Sequence, residues 1–87
     1  MSTTHELKIY PKYFEEVMKG NKTFEVRKND RKFQIGDIVI LNEWDNIQYS
    51  GRKIHARIKY ILDDTFIGVE KGYVVFAFEK IETETVL

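Results

Sequence analysis

Hydrophobic residues recur at every second position in several segments of the chain, and this is the period of a β-strand. The clearest case is the segment 52–62, whose apolar positions are Ile54, Ala56, Ile58, Tyr60 and Leu62. Residues 11–19 differ, because Phe14, Val17 and Met18 follow Pro11 at helical spacing. The pattern therefore predicts one helix at 11–19 and strands at residues 5–10, 23–28, 38–45, 52–62 and 73–81.

Two of the predicted strands, 38–45 and 73–81, have apolar residues on both faces. In a short chain such strands close most simply into a small barrel, with the helix over one opening. The chain has 87 residues, which is enough for one domain, 1–87. The sequence thus predicts a mainly β, α+β fold: a barrel of about five to six strands with one short helix.

Composition excludes several classes of protein. The chain contains no cysteine, which excludes disulfides, thiolate metal sites and a cysteine nucleophile. Its two histidines, His5 and His55, lie far apart in the sequence, so neither a metal site nor a cofactor is predicted. No signal peptide and no apolar run of about 20 residues are visible. We therefore expect a cytoplasmic protein that does not contact a membrane.

Charge is unevenly distributed, although the formal net charge is zero. The segment 19–32 contains basic residues at Lys19, Lys22, Arg27, Lys28, Arg31 and Lys32, against Glu25 and Asp30. The segment from Leu62 onwards is mainly acidic. A local basic patch attracts phosphate even on a neutral protein, because salt screens distant charges. The alternative is a solvated loop with no ligand.

The segment 20–27 (GNKTFEVR) is the most informative motif. It follows the predicted helix as a turn and a strand, so Phe24 and Val26 are expected to point into the core. The opposite face and the adjoining turn carry the polar side chains, namely Lys22, Thr23, Glu25 and Arg27. Such a group can hold a polar planar ligand, and it can also support proton transfer. The alternative is that Glu25 and Arg27 merely neutralise each other in water.

The pattern GxKTxExR at 20–27, followed by FxxGDxVxL at 33–41, resembles the ASCH domain of the PUA-like superfamily. The likeness runs from His5 to about Glu79 and is greatest to a small uncharacterised bacterial and phage branch. It implies a small β-barrel with one cleft that binds RNA or nucleotides. Some small ASCH proteins look like amidohydrolases for acylated cytidine that use a lysine, a threonine and a glutamate. Lys22 matches that lysine, but Glu25 occupies the threonine position, and the late glutamate has no secure match.

The candidate ligand-binding residues are Lys22, Thr23, Glu25, Arg27, Lys28, Trp44 and His5. Lys22 would contact a phosphate or act as a base or nucleophile. Glu25 would accept hydrogen bonds from a base amino group, and Arg27 would orient Glu25 or hold a phosphate. Trp44 either stacks on a base or packs in the core. His5 either faces the cleft or is simply exposed.

Three functions remain open at this point. The first is a module that binds RNA, a nucleoside or a nucleotide in a polar cleft. The second is a small amidohydrolase acting on an acylated nucleoside such as N4-acetylcytidine, with Lys22 and Glu25 as catalytic groups. The third is a protein-interaction domain that uses an exposed strand edge. The oligomeric state is not predicted. The first two functions require Lys22, Glu25 and Arg27 to border one concave pocket.

Overall fold

The computed structural model describes residues 2–81. The elements are β1 (Thr4–Ile9), α1 (Pro11–Met18), β2 (Phe24–Lys28), β3 (Ile38–Trp44), β4 (Tyr49–Leu62) and β5 (Tyr73–Lys80). The predicted order of one strand, one helix and four strands is confirmed. β4 begins at Tyr49 rather than at Arg52, so part of the predicted turn before it belongs to the strand.

The five strands form one sheet in the order β1-β3-β4-β5-β2. β1 is parallel to β3, and the other neighbouring strands are antiparallel. The sheet curls into a half-barrel, which places its two edge strands, β1 and β2, near each other. Two arginines bridge the gap: Arg27 Nη2 donates to the Lys8 carbonyl at 2.6 Å, and Arg31 Nη1 donates to the Glu6 carbonyl at 3.0 Å. We call this gap the β1–β2 seam.

The concave face of the sheet holds the core. Its buried apolar residues come from four strands, the helix and one loop, and they include Leu7, Leu41, Ile58, Phe76, Phe14, Val17 and Phe33. The helix begins at Pro11 and ends before Gly20, whose φ of +82° suits the left-handed position after a helix. Phe14 and Val17 are buried as predicted, whereas Met18 is exposed and does not join the core. The helix therefore covers one open end of the half-barrel with a narrow apolar stripe.

Within β4, the predicted faces are correct only for the first part of the strand. Ala56 and Ile58 are buried, but a bulge between Ile58 and Tyr60 shifts the register. The extra residue reverses the alternation, so Tyr60 is exposed and Ile61 packs on the core. A regular two-residue period in the sequence gives no sign of this extra residue.

The predicted faces of β2 are the wrong way round. Phe24 and Val26 are 47% and 56% exposed, while Glu25 is only 5% exposed and points to the concave face. Glu25 lies opposite Phe76, a core residue of β5, and Phe24 lies opposite the exposed Ala77. The reason lies at the β1–β2 seam, where the concave face provides Lys22 and Arg27 as cationic partners for the carboxylate. Charged residues therefore occupy the inner side of this edge strand.

No helix within residues 2–81 has the length and apolar character needed to cross a membrane.

Candidate functional site

Glu25 is the centre of a three-residue ionic cluster, which we call the Lys22–Glu25–Arg27 cluster. Lys22 Nζ donates to Glu25 Oε1, and Arg27 Nε donates to Glu25 Oε2 at 2.7 Å. The exposed fraction of the side chain is 7% for Glu25, 15% for Lys22 and 26% for Arg27. The alternative of a solvent-exposed Glu25–Arg27 pair is therefore wrong. The carboxylate is buried, and both of its oxygens are hydrogen-bonded to cations.

Two separate elements hold the cations in place. Lys22 lies in the turn after α1, where its backbone N–H donates to the Glu16 carbonyl at 3.1 Å. Its Nζ also donates to the Phe24 carbonyl at 2.7 Å. Arg27 lies on β2 and reaches across the seam to the Lys8 carbonyl. The cluster therefore ties the helix end, β2 and β1 together, and its geometry depends on the whole half-barrel.

All three members of the cluster border one open groove of about 420 Å³. Its walls are mainly apolar and aromatic, and they include Ile9, Tyr10, Tyr13, Phe24 and Val26. The three aromatic rings are about half exposed, so a ligand can reach them. A groove with aromatic walls and a few fixed polar groups is the usual form of a small-molecule site. We call this the cluster groove.

Four ionic residues line the cluster groove, and the three cations Lys8, Lys22 and Arg27 exceed the single carboxylate by two charges. A carboxylate has about four acceptor positions, and the two cations use one on each oxygen. Glu25 thus retains capacity to accept from a ligand N–H, and Arg27 retains guanidinium donors. Lys22 Nζ donates to two acceptors, which is the role of a positioned donor rather than of a nucleophile. The arrangement suits recognition of a polar, planar, partly anionic molecule.

Trp44 lies beside this groove on the outer face of the sheet and is neither a core residue nor an open platform. Its ring stacks on Tyr10 with centroids 6.1 Å apart, and Lys8 Nζ lies 4.2 Å from the ring centroid. A cation–π contact at an exposed site is worth about 0.5–1 kcal/mol. A stacked base is worth about 1–3 kcal/mol. The contact with Lys8 is therefore weaker than a typical stacking contact on the same ring.

Three other predicted site residues lie outside the cluster groove. His5 is buried at the opposite end of β1, where its Nε2 lies 2.8 Å from Asp37 Oδ2 and its ring packs on Phe33. The expectation that His5 faces the cleft is therefore wrong. The alternative expectation, that His5 is simply exposed to solvent, is wrong as well. Thr23 is exposed, and its carbonyl accepts from Phe78. Lys28 borders a different hollow at the far end of the seam.

Asp37, the partner of His5, fixes the loop before β3. It accepts from the backbone N–H groups of Thr3 and Gln34, each at 3.1 Å. Burial acts to raise the pKa of Asp37, but the hydrogen bonds from His5 and these two N–H groups outweigh burial and leave the pKa below its ordinary value. His5 and Asp37 thus form a structural pair that anchors the start of β1.

Sequence reasoning missed Lys8, Tyr10 and Tyr13 as groove residues. Lys8 lies on the polar face of β1, and Tyr10 follows that strand as the N-cap residue of the helix. Tyr13 lies on the helix, off the buried stripe of Phe14 and Val17. The available signal was two tyrosines flanking Pro11 at positions that no core pattern explains. Aromatic residues off the core face are the ones free to contact a ligand.

A second buried carboxylate, Glu43, attaches the helix to the sheet. It accepts from Ser50 Oγ at 2.6 Å and from Arg52 Nε at 2.9 Å. Arg52 also donates to Glu15 on α1 at 2.6 Å, and its guanidinium lies 4.7 Å from the Phe14 ring centroid. The hydrogen bonds from Arg52 and Ser50 lower the pKa of Glu43 to about 2.

This pKa shift predicts acid sensitivity. The pKa of Glu43 falls from an ordinary 4.5 to about 2 on folding, so its contribution to stability is complete above the ordinary value and is lost as the pH falls through the folded one. We expect the free energy of unfolding to decline from about pH 5 to about pH 2, and Glu43→Gln to flatten that decline. Urea unfolding at a series of pH values measures both. The pKa of Asp37 is also lowered on folding, so part of the dependence of stability on pH remains in the Glu43→Gln variant. An unchanged slope in Glu43→Gln would contradict the assignment.

Comparison with known proteins places the chain in a family. A region of 63 residues is 44% identical to an uncharacterised 12.9 kDa protein in the GpA 3′ region of Escherichia phage P2. The match covers 72% of this chain and 58% of the phage protein, so the chain spans less than two thirds of that relative. It confirms the likeness to small uncharacterised phage proteins. Residues 4–78 match DUF3850, a domain of unknown function. The chain therefore belongs to the DUF3850 family.

Proposed function

We propose that the protein binds RNA or a nucleotide, with a nucleobase entering the cluster groove. The observation that carries the proposal is the buried carboxylate of Glu25, which is held between two cations at the base of a groove with aromatic walls. A base has a flat face that stacks on aromatic rings and an edge that hydrogen-bonds to fixed polar groups. The groove offers both kinds of contact.

The chemistry of each residue supports one part of such a ligand. Glu25 accepts from an exocyclic amino group, as carboxylates do with cytosine N4. Lys22 and Arg27 provide positive charge for a phosphate. Tyr10, Tyr13 and Phe24 provide faces for stacking. Taken together, these groups favour an amino-bearing base that carries a phosphate.

The likeness of the motif at 20–27 to ASCH domains supports the same proposal by analogy. Proteins of that kind are associated with RNA and nucleotides, and the motif here supplies all three members of the cluster. Amide hydrolysis is less favoured by the geometry, because Lys22 Nζ already donates to two acceptors. The chain also has no threonine at the matching position of the amidohydrolase set, because Glu25 occupies it. Hydrolysis of N4-acetylcytidine is the alternative function, and the experiment below distinguishes it from binding.

Lys22→Ala tests the proposal. We expect it to weaken retention of RNA and binding of cytidine monophosphate (CMP) by about tenfold, since it removes a charge-assisted donor of about 1.5 kcal/mol from the groove. RNA binding should weaken further as salt rises. Calorimetric titration and filter retention measure the two ligands. Lys59→Ala is the matched control, because Lys59 lies on the outer face of β4 and pairs with Glu79.

The same proteins are incubated with N4-acetylcytidine at high enzyme concentration. No turnover by the wild type ends the hydrolase alternative, while turnover that disappears in Lys22→Ala would establish it in place of simple binding. Equal affinities for the wild type, Lys22→Ala and Lys59→Ala would reject the cluster groove as the site.

A further inference from the structure

A second concave surface adjoins the cluster groove on the outer face of the sheet. It encloses about 740 Å³, and its charged lining residues are Lys8, Arg27, Arg31, Arg52, Lys53 and Glu6. Five of these six are basic. We call this surface the outer groove. Lys8 and Arg27 line both grooves, so the two grooves adjoin at the β1–β2 seam.

Part of the positive charge in the outer groove has no acidic partner. Arg27 pairs with Glu25, and Arg52 pairs with Glu15 and Glu43. Within residues 2–81, by contrast, Lys8, Arg31 and Lys53 form no ion pair with a carboxylate. Uncompensated cations in a groove raise the local concentration of anions. An outer groove of this kind favours a ligand with several negative charges.

The sheet places two of these cations, Lys8 and Lys53, in one row across three strands. Lys8 on β1 lies opposite Asn42 on β3, and Asn42 lies opposite Lys53 on β4. Neighbouring strands are about 4.8 Å apart, so the backbones of Lys8 and Lys53 are separated by roughly 10 Å. That spacing separates the two charges enough to contact different phosphates of one chain. To bind a single phosphate, the two charges would have to converge on one point.

Aromatic side chains stand next to this row. Trp44 and Tyr49 are cross-strand partners at the adjoining end of β3 and β4. Lys8 Nζ lies 4.2 Å from the Trp44 centroid and 6.0 Å from the Tyr49 centroid. Proteins bind single-stranded nucleic acid through cations interleaved with aromatic rings, because the bases stack on the rings while the phosphates pair with the cations. A duplex keeps its base faces covered and cannot use the rings.

We propose that the ligand is a segment of single-stranded nucleic acid rather than a free nucleoside or nucleotide. The inference rests on the proposed function. One base occupies the cluster groove at Glu25, and the chain continues past Arg27 and Lys8 towards Lys53. Lys8 leaves the Trp44 ring to pair with a phosphate, and the next base stacks on the freed ring beside Tyr49.

Trp44 makes the test direct, because it is the only tryptophan of the chain. The full chain is titrated with CMP, with a mixed-sequence hexaribonucleotide and with its deoxy counterpart, and Trp44 fluorescence is followed at several salt concentrations. We expect the hexamer to bind at least tenfold more tightly than CMP and to change the fluorescence more. Its affinity should fall with salt with a slope of about −0.7 for each phosphate contacted. The deoxy hexamer reports whether the ribose hydroxyl is contacted.

Lys8→Ala and Lys53→Ala should each reduce the salt slope by about 0.7 and weaken hexamer binding, while CMP binding to Lys53→Ala stays unchanged. Lys59→Ala is the control on the same strand and should match the wild type. Lys53 is exposed, so its variant keeps the test usable if Lys8→Ala does not fold. Equal affinity for CMP and the hexamer would overturn this inference and leave the proposed function intact. Tight hexamer binding that neither lysine variant alters would also overturn it. Absence of binding by all three probes would overturn both.

Discussion

Replacing Arg27 with alanine is expected to lower nucleotide affinity at least tenfold and the free energy of unfolding by about 2–3 kcal/mol. The substitution removes the bond to Glu25 and the bond across the seam to the Lys8 carbonyl. It also leaves the buried carboxylate with one cation instead of two. The figure allows for the quarter of the Arg27 side chain that is exposed to water. Denaturant unfolding and calorimetric titration of CMP measure the two effects.

Arg31→Ala is the matched control for stability. Arg31 also donates to a β1 carbonyl across the seam, but it has no carboxylate partner within residues 2–81. We expect it to cost less than about 1 kcal/mol. If the two variants lost equal stability, the contribution of Arg27 would come from bridging β1 alone, and the buried cluster would have no special role.

Glu25→Gln is expected to remove a preference for amino-bearing bases. In the wild type, CMP should bind about 10–100-fold more tightly than uridine monophosphate (UMP), because Glu25 accepts from the cytosine amino group. Glutamine preserves the shape, but it lacks the charge and presents N–H donors on one side. The ratio of the two affinities should fall to about one. The variant should also be less stable, since Lys22 and Arg27 then face each other without a carboxylate between them.

Competition calorimetry with CMP and UMP measures this ratio directly. Glu6→Gln provides the control, because Glu6 is an exposed carboxylate on β1 whose side chain accepts from Asn42. That variant should keep the preference. A wild type that binds CMP and UMP equally would show that Glu25 does not contact the base edge, even if the groove binds nucleotides.

The order of elements was predictable from the sequence because local signals agreed. Pro11 and Gly20 bracket the helix, and the apolar stripe of Phe14 and Val17 determines its buried face. Alternation or a continuous apolar run located every strand to within a few residues. Periodicity does not indicate which face of an edge strand is buried, however. That choice at β2 depends on the seam with β1, which forms only in the tertiary structure.

The candidate site was predictable in part for the same reason. Lys22, Glu25 and Arg27 are close in sequence, so a turn and a strand were enough to bring them together. Tyr10 and Lys8 join them only because β1 and β2 meet at the seam of the half-barrel. Trp44 reaches the same region through the parallel pairing of β1 with β3. Contacts between strands distant in sequence cannot be read from local pattern.

The most direct measurement is an NMR titration of uniformly ¹⁵N-labelled protein with CMP, followed through backbone amide shifts. The account predicts that the largest shifts lie at residues 22–27 and around Tyr10 and Tyr13, with little change near His5 and Asp37 at the other end of β1. Shifts centred on His5 and Asp37, or no shifts at millimolar CMP, would contradict it.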